Sequence, residues 1–152
     1  LSVLPVSWAG ILLMLLAAVA FGGQISLVGN LTGGAVELDV VPIFMRQLRL
    51  QGILVSEFQR AQQTARPLAN RLSIPVIVVP AGDVPATADR ALDDFGGGRV
   101  LIIGHSNTVP ALVERLSGQE VPAIAENEYG AIYLIARPRF GRAAVTRLDL
   151  PL

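Results

Sequence analysis

Three short apolar runs, QGILVS at 51–56, IPVIVVP at 74–80 and RVLIIG at 99–104, are each followed by a stretch long enough for one helix. Runs of this kind read as strands, and RVLIIG as a buried one. Strands that alternate with helices form a parallel sheet, because the crossover between two parallel strands has to pack back onto that sheet. The expected fold class is therefore α/β, with three layers: a mostly parallel sheet and helices on both faces, preceded by an apolar N-terminal helix.

Local signals place the remaining elements. QISLVG at 24–29 reads as a strand, NLTGG as a loop, and ELDVVPIFMRQLRL at 37–50 as a helix with Pro42 near its first turns. Ser56 and Gln59 are spaced as a capping box for a helix starting at Glu57, which Pro67 should break or kink near Arg66. A second helix is expected from about Val84 to Phe95, entered through Asp83 and Pro85. A third is expected from Asn107 to Leu116, with Pro110 in its first turn and Gly118 past its end. AIYLIA and AAVTRLDL close the chain as strands. The connection Arg137–Gly141 has Arg where a tight hairpin favours Asn, which leaves their pairing open.

Residues 1–36 carry no charge, and Trp8 to Phe21 form an unbroken apolar run. Counted from Leu1, the run approaches the ~20 residues that a bilayer-spanning helix needs. It has neither the positive start nor the small-residue cleavage site of a secretory signal, and a start without Met reads as a truncated chain. Two readings stay open: a buried helix, or a helix in contact with lipid through Leu1 to Phe21 and anchored by Trp8. The expected division is 1–21 as an apolar helix and candidate membrane segment, and 22–152 as a single α/β domain. A cytoplasmic and a membrane-associated location are both compatible with this.

Charge and composition narrow the chemistry. Twelve basic and twelve acidic residues give a formal net charge of zero, so no global field favours nucleic acid. All the basic residues are Arg, which removes Schiff-base chemistry and a phosphate loop built on Lys. The absence of Cys and the single His leave little for a metal, and no cofactor is expected.

That single histidine, His105, follows the RVLIIG strand, and ligands of open parallel sheets bind outside the carboxyl ends of strands. Ser106 and Asn107 after it begin a helix whose free N–H groups favour an anion such as a phosphate. Arg60, on the first turn of the helix after the Gly52–Ser56 run, could fork onto phosphate oxygens. The same residues also fit plain roles, His105 as the cap of a turn and Arg60 as solvated surface. Glu126 and Glu128 offer a candidate acid/base pair near a phosphate, or simple solvent contact. Asp83 is a candidate acid or a helix cap, and Asp93-Asp94 reads as a solvated helix end.

SEFQRAQQTARPLANRL, GRVLIIGHSNTVPALVERLSG and ENEYGAIYLIA, in that order, resemble the C-terminal part of a histidine phosphatase of the phosphoglycerate-mutase-like superfamily, over about Ser56 to Leu150. The resemblance implies a phosphoric monoester hydrolase. In it Arg60 would bind the substrate phosphate, His105 would be the second active-site histidine, and Ser106 and Asn107 would flank it. The partner it implies is phosphate or a phosphorylated small molecule. Members of that family begin with a strand ending in Arg-His-Gly, whose His is phosphorylated. Here the corresponding stretch reads SLVGNLTGG, with Gly29 and Asn30 in place of the Arg-His pair. Neither side chain can form a phosphoenzyme, so the resemblance implies an impaired enzyme with a partial phosphate site.

Upstream, Gly22 to Val55 looks like a piece of a zinc-type alcohol dehydrogenase. It comes without the glycine fingerprint or the zinc ligands, so neither cofactor nor hydride transfer carries over. LPVSWAGILLMLLAAVAF is similar to a transmembrane helix of NfeD-like membrane proteins. The chain as a whole has a chimeric appearance. Besides the phosphatase-like reading, a membrane-attached structural or interaction protein stays open.

Overall fold

The structure is a computed structural model that describes residues 24–29 and 50–149. The expected helices at 1–21 and 37–50 lie outside the described residues. Six strands form one sheet: β1 (Gln24–Gly29), β2 (Gly52–Ser56), β3 (Val76–Val79), β4 (Arg99–Ile103), β5 (Ala131–Arg137) and β6 (Ala144–Asp149). Three helices are described: α1 (Gln59–Leu72), α2 (Val84–Asp94) and α3 (Val109–Ser117). The strand order is β3-β2-β4-β1-β5-β6. The first four in that order run parallel, β5 pairs antiparallel with β1, and β6 pairs antiparallel with β5. No helix among the described residues is long and apolar enough to cross a membrane.

The alternation of side chains along each strand separates two cores. Leu54, Val100, Ile102, Tyr133 and Ile135 face one side, packed with Ala88 and Ala91 of α2 and Val109, Leu112, Val113 and Leu116 of α3. Ile53, Val55, Leu101 and Ile103 face the other side, against Ala61, Ala65 and Ala69 of α1. Crossover direction explains the division. The step from β2 to β3 moves outward in the sheet, and the step from β3 to β4 moves back across β2. Two right-handed crossovers of opposite direction place α1 and α2 on opposite faces. The expected three-layer α/β architecture is the one observed.

Three local expectations are corrected. Pro67 does not end α1, which runs on to Leu72. Ala61, Ala65 and Ala69 repeat every four residues and hold one face of the helix on the sheet. Pro67 and Gln63, whose carbonyl loses its N–H partner to the proline, are both exposed, where water can satisfy that oxygen. Ser56 and Gln59 form no capping box. Ser56 is drawn into the ladder of β2 opposite Val79, and α1 starts at Gln59 behind the backbone N-cap Phe58. α3 starts at Val109 rather than Asn107, because residues 106–108 form a turn.

Other signals act where the sequence put them. The Asp83 carboxylate accepts from the Ala86 N–H at 3.0 Å as the N-cap of α2, with Pro85 in the first turn. Gly118 ends α3 in the left-handed conformation, φ +72°, with its N–H on the Glu114 carbonyl. β5 and β6, whose pairing the sequence left open, form an antiparallel ladder from Ala131↔Asp149 to Ala136↔Ala144.

Candidate phosphate site

Val55 of β2 and Gly29 of β1 both sit opposite Ile103 of β4, so the chain leaves these three strands at one level. Beyond that level each strand must turn, and its next residues are free to form a site. β4 continues as Gly104 and His105 and then the turn into α3. β2 continues as Glu57 and Phe58 and then α1, with Arg60 in its first turn.

His105 is held by its own backbone. Its N–H donates to Thr108 Oγ1 at 3.0 Å, and its carbonyl accepts from the N–H groups of Thr108 and Val109, both at 2.9 Å. Thr108, the N-cap of α3, therefore spends its hydroxyl on the residue behind it rather than on the helix. The turn is also tight. A Cβ on Gly104 would lie 3.0 Å from Val109 Cγ2 and 3.1 Å from Thr108 Oγ1.

The imidazole is buried, 8% exposed, and its Nε2 has no hydrogen-bond partner among the described residues. The Phe58 ring meets it edge to face, with centroids 5.3 Å apart at 80°. The Arg60 guanidinium stacks over the other partner of this contact, 5.5 Å from the Phe58 centroid. Burial, then the positive charge of Arg60, push the His105 pKa below its ordinary 6.5, against a smaller opposing pull from Glu57. The shift favours the neutral ring.

An open depression of about 680 Å³ is lined by Arg60, His105, Ser106 and Asn107 together, with Glu126 and Tyr129 on its rim. Asp83 lies apart, beside a cavity of about 20 Å³ next to His105 and Ser56. The Ser56 hydroxyl is buried there without a partner among the described residues. Glu126 is exposed at the depression, whereas Glu128 is held by Arg147. Burial works against the Arg147 charge, but hydrogen bonds to Asp149 and Glu128 outweigh it and raise its pKa.

Sequence reasoning missed Phe58, Tyr129, Glu57 and Thr108. Glu57 accepts from the Ala81 N–H and ties the β3–α2 loop to the start of α1. Phe58 and Tyr129 are about half exposed, which only the folded chain reveals.

No protein-family model matches the chain, and no curated protein matches it. Solved structures do. A phosphoglycerate mutase from Plasmodium falciparum superposes with a TM-score of 0.58 at 14% identity, covering 85% of this chain and 94% of that one. A mycobacterial glucosyl-3-phosphoglycerate phosphatase gives 0.54 at 12% identity, covering 85% and 99%. The complex of that phosphatase with inorganic phosphate gives 0.51 at 14%, covering 84% and 97%. At such identities the likeness is one of fold alone, and the chain has a histidine phosphatase-like fold.

Proposed function

We propose that this chain is a phosphate-ester-binding domain of the histidine phosphatase type whose phosphoryl transfer is impaired. The observation that carries the reading is the convergence of Arg60 and His105, forty-five positions apart by their numbers, on one depression at the strand ends. Arg60 supplies a fixed charge with fork geometry. His105 supplies a neutral imidazole that gains a proton beside a dianion, and Ser106 and Asn107 precede the positive end of α3. Phosphate or a phosphorylated small molecule is the ligand this set of groups suits. Glu126 is the carboxylate best placed for a leaving group, with Asp83 committed to capping α2.

Impairment follows from the end of β1. Gly29 lies level with Ile103, two residues before His105, where a phosphorylatable side chain would have to stand. The sequence there is Gly29-Asn30, and neither is a nucleophile for phosphorus at neutral pH. The chimeric make-up belongs to the same reading: residues 22–55 contribute β1 and β2 to the sheet of one 22–152 domain and bring no dinucleotide site.

The test is thermal. Vanadate or phosphate should raise the melting temperature, since a ligand that binds only the native state stabilises it, and His105→Ala and Arg60→Ala should each abolish the shift. Phosphate-ester hydrolysis that depends on His105 in the unaltered chain would overturn the impairment, and a shift indifferent to both substitutions would overturn the site.

A further inference from the structure

The end of the sheet opposite His105 carries a second collection of charged groups. β5 ends at Arg137, and the turn to β6 presents Arg139, Phe140 and Arg142. Arg137, Arg139 and Arg142 together with Arg115 line an open basin of about 990 Å³ in which no lining residue is acidic. Arg115 is already committed, to Asp89 at 3.2 Å and to the negative end of α3. Arg137, Arg139 and Arg142 have no carboxylate within ion-pair distance among the described residues. In a chain with zero formal net charge these three cations are a local concentration rather than part of a general excess.

Phe140 stands at the tip of this turn, 83% exposed, with the Arg139 guanidinium 5.8 Å from its ring centre. The turn is braced, since Gln119 Nε2 donates to the Ala143 carbonyl at 2.6 Å. A braced tip that offers an aromatic ring among free arginines matches the two chemistries of a bilayer interface. The ring enters at headgroup level, and the guanidinium groups meet anionic phosphates. A soluble polyanion would use the arginines but would leave the ring in water.

Strand register adds an independent observation. Gln24, the first residue of β1, pairs with Arg137. The uncharged sequence 1–23, with its apolar run from Trp8 to Phe21, precedes Gln24 in the chain.

We propose that the face formed by Arg137, Arg139, Phe140 and Arg142 docks this chain on an anionic phospholipid surface. Docked in this way, the His105 depression points away from the bilayer. It lies beyond the far end of β5, and seven strand residues at ~3.3 Å each put roughly 20 Å between the two ends. The docking face and the phosphate site do not compete, and the proposal does not rest on the phosphate reading.

The experiment is sedimentation of the full chain with vesicles of phosphatidylcholine alone and of phosphatidylcholine mixed with phosphatidylserine. The unaltered chain should bind the anionic vesicles more tightly, with a preference that shrinks as salt is added. Arg139→Gln/Arg142→Gln should weaken binding to the anionic vesicles by about thirty-fold, from ~1 kcal/mol for each arginine near the surface. Phe140→Ala should weaken binding to both kinds of vesicle. Melting curves and the vanadate shift should stay as in the unaltered chain, which separates lost docking from lost folding. Equal binding to neutral and anionic vesicles would overturn the proposal. So would an anionic preference unchanged in the double variant, or an arginine dependence found with a DNA duplex or with inorganic phosphate but not with vesicles.

Discussion

The Phe58 ring stands at 80° to the imidazole of His105 with their centroids 5.3 Å apart, and this contact shields the only histidine of the chain from water. Desolvation is the first cause of the lowered His105 pKa. Phe58→Ala should therefore raise that pKa toward the ordinary 6.5. A proton NMR titration reads it directly, because only one imidazole is present. A pKa unchanged by the substitution would place the cause of the shift elsewhere.

The same shift sets a dependence of stability on pH. Below 6.5 the unfolded chain takes up the imidazole proton before the folded one does, so protonation favours unfolding. The contribution of a neutral His105 is fully present above 6.5 and is lost as the pH falls through the folded value. Denaturant midpoints should decline over that window in the unaltered chain, and the His105 part of the decline should be missing in His105→Gln.

Anion binding should be coupled to the same proton with the opposite sign. Sulfate keeps its charge between pH 5 and 8, so its affinity there reports the protein. It should rise as the pH falls and His105 becomes cationic, and this dependence should vanish in His105→Asn. Arg60→Gln should weaken sulfate at every pH by on the order of tenfold, the cost of one charge-assisted pair, while leaving the pH dependence in place. Calorimetric titration across the range separates the two effects.

Thr108 positions His105 through the bond from the His105 N–H to its Oγ1. Thr108→Val keeps the shape, removes the acceptor and should cost about 1–2 kcal/mol in chemical denaturation. Sulfate affinity should fall in the same variant. Thr108→Ser, which keeps the hydroxyl, should restore most of both. Equal losses in the two variants would mean that the methyl group, not the hydrogen bond, sets the turn.

Placing Arg and His at positions 29 and 30 tests the account of the missing nucleophile. Gly29→Arg/Asn30→His puts Arg at the last residue of β1, level with Ile103, and a phosphorylatable ring next after it in the chain. Hydrolysis of p-nitrophenyl phosphate should rise above that of the unaltered chain and disappear again when His105→Ala is added. No gain in a folded double variant would show that more than these two side chains is missing.

Much of the fold was legible because its signals are local. GILVS and RVLIIG are short, largely apolar and each followed by a helix-length stretch, and both became strands buried on both faces. Asp83 and Gly118 announced the start of α2 and the end of α3 by the side-chain oxygen and the left-handed backbone that those positions require. Where local signals failed, packing outweighed them. Pro67 is a helix breaker by its own chemistry, yet the three alanines on the opposite face bind α1 to the sheet strongly enough to carry the helix past it.

The candidate site divides in the same way. The sequence by itself determined that His105 follows a strand and precedes a helix and that Arg60 opens another helix. Only the tertiary structure decided that β2 and β4 are neighbours, that Phe58 covers the imidazole, and that Arg137 lies beside Gln24 at the far end of the sheet. Local periodicity reports which face of an element is apolar. The order of strands, and hence which strand ends meet, follows from long-range packing that no single segment of the chain encodes.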